Sequence, residues 1–245
     1  NICFPAKLVH GHVLALMEQK VDRIFYPLVP KEEKEFDGSG DSFNCPVVSG
    51  YPEVIESSID PEGRYGIPFD HPVINFRTDK ILYKGCYIYL SGLGVSKKVF
   101  EKAFEKALAA KEENKNQLYQ FQKEILDRAL QTGEPLFVVA GRPYHADPLI
   151  HQKVGQILSD LGVAVLTDDV FRKPESAGFG KLNIVSQWSY PNRVVQAAME
   201  IAKLPQNIQL VQLNSSGCGP DSFFMDETRD VLKAVGKNIS VLRID

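Results

Sequence analysis

Leu136-Phe-Val-Val-Ala-Gly-Arg-Pro-Tyr-His-Ala-Asp-Pro-Leu-Ile-His-Gln-Lys-Val-Gly-Gln-Ile-Leu-Ser-Asp-Leu-Gly-Val-Ala-Val-Leu-Thr167 reads as strand, loop, helix, strand. Leu136 to Ala140 is an unbroken apolar run, the pattern of a parallel strand buried on both faces. Ile150, Val154, Ile157, Leu158 and Leu161 then recur at helical spacing, and Gly162 closes that segment. Val163 to Thr167 is the second strand. A βαβ unit requires a right-handed crossover and a parallel sheet. Arg142, Tyr144, His145 and Asp147 therefore fall at the carboxyl end of a strand, where open α/β sheets hold ligands. They are candidate ligand-binding or supporting residues, although a loop salt bridge and a helix cap account for Arg142 and Asp147 equally well. The loop has neither G-x-G-x-x-G nor Walker spacing, so a nucleotide site is not inferred.

The same alternation continues toward the carboxyl terminus. Asp168 to Ser186 is irregular, and Trp188-Ser-Tyr-Pro-Asn-Arg193 opens a helix carrying Val194, Ala197, Ala198 and Ile201. Asn207 onward forms a strand that ends in a Ser/Gly turn bearing Cys218, followed by a helix starting near Pro220. Helix N-termini present unpaired N–H groups and a partial positive charge. A thiol in that position is expected to lean toward thiolate, the form that binds metal. A glycine-rich turn with an incidental thiol is the competing reading. Ile239 to Ile244 is the last strand.

The amino-terminal half is less regular. Pro5 to Glu18 reads as a helix with Val9, Val13, Leu16 and Met17 on one face, while Cys3, Lys7 and His10 share another. His10 and His12 lie on opposite sides and read most simply as ordinary partly buried or surface histidines. Asp22 to Leu28 is a strand. Lys31 to Ser42 is charged and then glycine-rich, which predicts an exposed, mobile loop. Cys45 precedes a helix expected from Tyr51 or Pro52. Prolines 61, 68 and 72 break up Asp60 to Leu90, leaving Val73–Phe76 and Cys86–Leu90 as short strands, with Cys86 a packing residue. Ser96 caps a long helix to about Leu130, its packed face predicted at Val99, Ala103, Ala107 and Ala110. Thr132-Gly-Glu-Pro135 is the expected boundary between an amino-terminal lobe (1–133) and a carboxyl-terminal lobe (134–245). The fold class predicted is α/β, with two Rossmann-like lobes of mostly parallel sheet and helices on both faces.

The 245 residues suffice for one large or two modest domains, and 44% hydrophobic with 24% charged residues is ordinary for a globular chain. With 28 basic and 31 acidic residues the formal charge is −3, which advertises no surface for nucleic acid. There is neither a membrane-length apolar run nor a signal-peptide pattern, so a cytoplasmic location is expected. The abrupt start at Asn1-Ile-Cys3 and the stop inside a strand suggest a fragment of a larger protein. A homodimer is left open. Four dispersed cysteines without a C-x-x-C pair point to metal or redox chemistry rather than a disulfide framework.

Cys3, Cys45 and Cys218 each precede a helix, and a fold can gather what sequence separates. Cysteine thiolates are the usual ligands of iron–sulfur clusters. Three of them on a cubane would leave one iron open to substrate oxygen or a small ligand. Spacing alone is compatible with many other readings.

Five ordered motifs carry a resemblance across nearly the whole chain: Cys3-Phe-Pro-Ala-Lys-Leu-Val-His-Gly-His12, Asn44-Cys-Pro-Val-Val-Ser-Gly-Tyr-Pro-Glu53, Ala140-Gly-Arg-Pro-Tyr-His-Ala-Asp-Pro148, Trp188-Ser-Tyr-Pro-Asn-Arg193 and Gly217-Cys-Gly-Pro-Asp221. The chain resembles the 2-hydroxyacyl-CoA dehydratase-related domain of CoA-substrate-specific enzyme activases, in which an ATPase activator module is fused to this domain. The resemblance implies similarity to 2-hydroxyglutaryl-CoA dehydratase, benzoyl-CoA reductase and the double-cubane cluster proteins. It implies a [4Fe–4S] or related cluster on Cys3, Cys45 and Cys218. Lys7, His10 and His145 are then candidate donors that would tune the cluster's charge and hydrogen bonding. It also implies a low-potential electron from an ATP-dependent activator and an acyl-CoA substrate for a lyase- or reductase-type reaction. Nothing in the chain matches the activator's own ATPase motifs. A non-catalytic electron-accepting or docking module, or a cluster-free small-ligand domain on the Arg142–Pro148 loop, are the alternatives.

Overall fold

The computed structural model describes residues 3–172, 182, 186–215 and 217–244. The chain divides into two compact units, Asn1–Lys34 with Ser42–Ala109, and Glu35–Asp41 with Ala110–Asp245. Much of the segment read as irregular between Asp168 and Ser186 lies outside the described residues.

In the first unit, helix α1 (Phe4–Glu18) starts directly after Cys3 and has Pro5 in its first turn, where the missing N–H costs nothing. Its Ala6, Val13 and Met17 are buried against Tyr51 and Ile55 of α2 (Pro46–Ile59). Val9 packs at the margin of this core, but Leu16, placed on the packed face by its spacing, is exposed. Helix α2 begins at Pro46 rather than near Tyr51, and Pro52 is accommodated inside it. Strand β1 (Ile24–Phe25) reaches the same core and pairs in parallel with Phe69–Asp70, the β2 strand that follows the short helix α3 (Pro61–Tyr65). A further bridge joins Leu28 to Val73.

The sequence placed a strand at Cys86–Leu90, but Asp79–Gly92 is a helix, α4, whose Thr78 cap accepts from the Ile81 N–H. The reason is the aromatic period. Tyr83 and Tyr87, four apart, meet Phe100 and Phe104, also four apart, on helix α5 (Lys97–Thr132). For the same reason the expected Val99–Ala110 face of α5 is exposed, and Phe100, Phe104 and Leu108 carry the packing.

The second unit is built on β3 (Leu136–Ala140), β4 (Ala164–Thr167), β5 (Ile208–Asn214) and β6 (Ile239–Arg243), all parallel, in the order β4-β3-β5-β6. The α/β class read from the sequence is what the structure shows. Leu136, Val138, Ala140, Ile208 and Leu210 point to one face. There they bury against Val194, Ala197, Ala198 and Ile201 of α7 (Ser189–Ala202), Leu232 of α8 (Gly219–Lys233), and Leu126 and Ala129 of α5. Phe137, Val139, Val211 and Leu213 point to the other face with Ile150 and Ile244. The helix between β3 and β4 is shorter than predicted: α6 spans Val154–Asp160 only, and Ile157 and Leu161 are exposed. Gln152 and Lys153 adopt left-handed backbone angles, so no helix can run through them from Ile150.

The Lys31–Ser42 loop also differs from expectation. Phe36, Ser39 and Ser42 are buried, and Glu35 is held by the Arg172 guanidinium. Gly40 N–H donates to the Ser186 carbonyl at 2.9 Å. Charged and glycine-rich composition predicts exposure only where no partner waits, and here partners more than a hundred positions away supply the bonds. Among the described residues no helix is long and apolar enough to cross a membrane.

Candidate functional site at the carboxyl edge of the second-unit sheet

The chain leaves β3 toward β4 on one side, then crosses back to β5 on the other and continues to β6. The connections out of β3 and β5 thus run in opposite directions, and such a switch point opens a crevice at the strands' carboxyl ends. Two loops meet there: Gly141–Asp147 after β3, and the turn carrying Cys218 after β5.

Gly141 makes the first loop possible. A Cβ on it would lie 2.5 Å from His145 Nδ1 and 3.1 Å from the Leu213 carbonyl oxygen, so only glycine lets the loop fold back onto β5. Pro143–Ala146 then forms a single 3-10 turn. The Arg142 backbone N–H donates to His145 Nδ1 at 3.0 Å, which leaves the proton of a neutral imidazole on Nε2. His145 is buried, with the Tyr144 ring edge-on at 4.3 Å. Burial, together with the nearby Asp221 and Cys218, raises the Tyr144 phenol well above its ordinary range.

Cys218 occupies the N-cap of α8, and Asp221 sits in that helix's first turn. Arg142 connects them across the sheet edge. Its Nε and Nη2 reach Asp221 Oδ1 at 2.8 and 2.6 Å, and Nη2 lies 3.5 Å from Cys218 Sγ. Both charged side chains are more than nine-tenths buried, which strengthens the pair and makes loss of either partner costly. The surroundings of Cys218 do not favour the expected drift toward thiolate. Burial pushes the thiol up to about 11, against the pull of Arg142 and with Asp221 adding to the rise.

The structure therefore groups Arg142, Tyr144, His145 and Cys218. Asp147 stands apart: it is exposed and its Oδ1 accepts from the Leu149 N–H, so it shapes a turn. Arg142 does have the salt bridge that its loop position suggested, but with Asp221 instead of Asp147. Sequence reasoning passed over Asp221, although an acidic residue three positions after Cys218 was a readable sign of a helix's first turn.

Beside this cluster, Gly141, Arg142, His145, Thr167, Asp168 and Arg193 are among the residues lining a cavity of about 80 Å³. Asp168 and Asp169 both contact Arg193, at 3.0 and 2.7 Å, and Asp169 also contacts Arg172 at 2.9 Å. The neighbouring carboxyls respond oppositely. Burial raises Asp168 despite Arg193, whereas Asp169 is lowered because Arg193, Thr167 and Arg172 outweigh its own burial. Neither aspartate was singled out from sequence.

In the first unit, Cys3 and Cys45 are the N-caps of α1 and α2. Asn44 sets the approach to Cys45, its Nδ2 donating to the Val29 carbonyl at 3.0 Å and to Glu32 Oε1 at 2.8 Å. Tyr51 is buried, its hydroxyl has no hydrogen-bond partner, and its pKa is raised by burial and by the neighbouring Cys3. The His10 ring packs edge-on against Tyr51 and its Nδ1 bonds the Ala6 carbonyl at 2.9 Å; Lys7 is exposed. All four cysteines are free and half-buried, Cys86 lying within α4. Cys3 and Cys45 belong to one unit and Cys218 to the other, so neither unit by itself carries all three predicted thiols. Among the described residues, no three His, Cys, Asp or Glu are grouped to hold a metal ion.

No curated protein and no solved structure matches the chain. A family model does: the CoA enzyme activase uncharacterised domain (DUF2229) matches residues 1–171, a span that includes Cys3, Cys45 and the Arg142–Asp147 loop and ends before Cys218. With more than two thirds of its length matched, from the first cysteine through the loop after β3, the chain belongs to the CoA enzyme activase domain family.

Proposed function

We propose that this domain binds an iron–sulfur cluster of the [4Fe–4S] class through Cys3, Cys45 and Cys218. In this reading it accepts a low-potential electron from an ATP-dependent activator in the service of reductive or radical chemistry on an acyl-CoA. The observation that carries the reading is local and occurs three times. Each of these cysteines is the N-cap of a helix with proline in its first turn, and none uses its side chain as a cap. Ser, Thr, Asp or Asn at an N-cap would stabilise each helix by about 1 kcal/mol, so cysteine there forgoes a local gain. Thiols at helix N-termini suit an anionic inorganic centre, since the terminal N–H groups face negative charge.

A second observation, at Cys3, supports the reading. The buried, unpaired Tyr51 hydroxyl beside Cys3 is a donor that an acceptor held by that cysteine would satisfy. Lys7, His10 and His145 are the proposed supporting donors, His10 packed on Tyr51 and His145 on Tyr144, whose phenol feels Cys218. When bound, the cluster would supply one-electron reduction. The chain's own residues fix the sulfurs: Asn44 anchors the turn into Cys45, and Arg142 with Asp221 anchors the turn at Cys218. The family is one of CoA enzyme activase domains, and an activator and a CoA-thioester enzyme are the partners proposed. The proposed setting is the cytoplasm.

The test is iron and acid-labile sulfide in anaerobically purified full-length protein, with about four of each expected per cluster. Cys3→Ser, Cys45→Ser and Cys218→Ser should each lower the iron, and Cys86→Ser should not. Iron that survives all three replacements, or that depends on Cys86 alone, overturns the assignment. A spectrum altered by added acyl-CoA supports catalysis, and an unaltered one supports an electron-accepting or docking role. The cavity of about 80 Å³ favours a cluster-free reading only for a very small ligand, because pockets for cofactor-sized molecules run to several hundred Å³.

A further inference from the structure

The geometry points to Arg142 as a positioning residue that holds a fixed positive charge on the Cys218 sulfur, with Asp221 as the clamp that keeps it there; the inference rests on Cys218 being a cluster ligand. Arg142 Nη2 is 3.5 Å from Cys218 Sγ and 2.6 Å from Asp221 Oδ1, and Nε reaches that same carboxylate oxygen at 2.8 Å. Two donors on one oxygen leave the guanidinium little freedom to swing away. The side chains of Arg142 and Asp221 are 9% and 8% exposed, so their field at the sulfur is weakly screened. Asp221 Oδ2 is buried without a hydrogen-bond partner, so this carboxylate's hydrogen bonds run through the oxygen that grips Arg142. A guanidinium keeps its proton at any working pH, so the charge at the sulfur is permanent.

The consequence is for electron transfer. Reduction adds one electron, taken from the activator as it is oxidised, and moves no proton in this step. A donor hydrogen-bonded to a ligand sulfur favours the more negative, reduced state and raises the reduction potential. The Arg142 donor thus makes the domain a better acceptor than a neutral side chain at that position would make it. Arg142 also comes from the loop after β3, whereas Cys218 follows β5, so the sheet edge itself sets the distance.

The experiment is a redox titration, followed by electron paramagnetic resonance, of anaerobic full-length protein, with iron measured in parallel. Arg142→Gln should retain its iron while the midpoint moves to more negative potential. Arg142→Lys, which keeps the charge but loses the two-donor grip, should fall between that variant and the unaltered protein. A full iron complement with an unchanged midpoint in Arg142→Gln overturns the inference and leaves the ligand assignment standing. Loss of iron from a folded Arg142→Gln also overturns it, since Arg142 would then hold the cluster rather than tune it. If Arg142→Gln fails to fold, Arg142→Lys carries the test: its midpoint should move to more negative potential with iron retained, and a full iron complement with an unchanged midpoint in that variant overturns the proposal. Undiminished iron in Cys218→Ser is the separate outcome that removes the reading on which the inference rests.

Discussion

The two units of this chain reach stability by different routes. In the second unit, strands of four to seven residues carry apolar side chains on both faces, and helices α5, α7 and α8 close one face over a large aliphatic core. In the first, the regular pairing is two residues long, and prolines at 61, 68 and 72 interrupt the chain around it. There the helices pack on aromatic rings instead: Tyr51 and Phe69 in one cluster, Tyr83, Tyr87, Phe100 and Phe104 in another. The contrast teaches where precision is available. A parallel sheet places its carboxyl edge rigidly, and the Arg142–Asp221–Cys218 geometry lies on that edge. The first unit places its cysteines through helix starts and a few side-chain bonds.

The largest test of the contrast removes core volume from each unit in turn. Leu210→Ala should cost about 2–5 kcal/mol, because the side chain is fully buried and the β5 backbone cannot collapse into the space. Ile55→Ala, equally buried, should fall at the lower end of that range because the short ladder and helices of the first unit can relax around it. Denaturant unfolding of both variants checks this, and equal losses would erase the distinction.

Glycines give the next, smaller pair. Gly141→Ala must push His145 or the Leu213 backbone aside and should cost about 1–3 kcal/mol. It should also loosen the Arg142 loop, visible as faster amide exchange at residues 141–147. Gly11→Ala has the opposite sign. Gly11 lies inside α1, and a methyl group added there would meet no atom within 4 Å, so helix propensity should stabilise the first unit by about 0.5–1 kcal/mol. A destabilised Gly11→Ala would mean that α1 is gripped more tightly than its exposed face suggests.

The smallest effect concerns alkaline pH. Burial and the bond to Asp70 at 2.7 Å push the Tyr89 phenol up to about 12. A raised folded-state pKa means that the unfolded chain releases this proton first, near pH 10. The contribution of Tyr89 is therefore complete below about pH 10 and falls as the pH rises toward 12. On the alkaline side, unfolding midpoints of Tyr89→Phe and unaltered protein should differ in their pH slope within that window. The second unit, which lacks this residue, should show no matching difference.

What the sequence determined by itself was whatever depends on neighbours in the chain. The apolar run at 136–140 and the aliphatic pattern of Ile208, Leu210, Val211 and Leu213 read as strands, Gly162 and Pro220 mark helix ends, and proline within two positions after each of Cys3, Cys45 and Cys218 signals a helix start. The α/β class and the position of the Arg142 loop followed from those local signals. Tertiary structure alone decided what depends on partners through space. Arg142 pairs with a carboxylate 79 positions away, Glu35 with an arginine 137 positions away, and the Tyr83–Phe100 packing turned a supposed strand into α4. It also shortened α6 through two left-handed residues that no periodicity announces. The physical reason is range: backbone propensity and capping act within a few residues, whereas charge pairing and burial select partners only after the chain has closed upon itself.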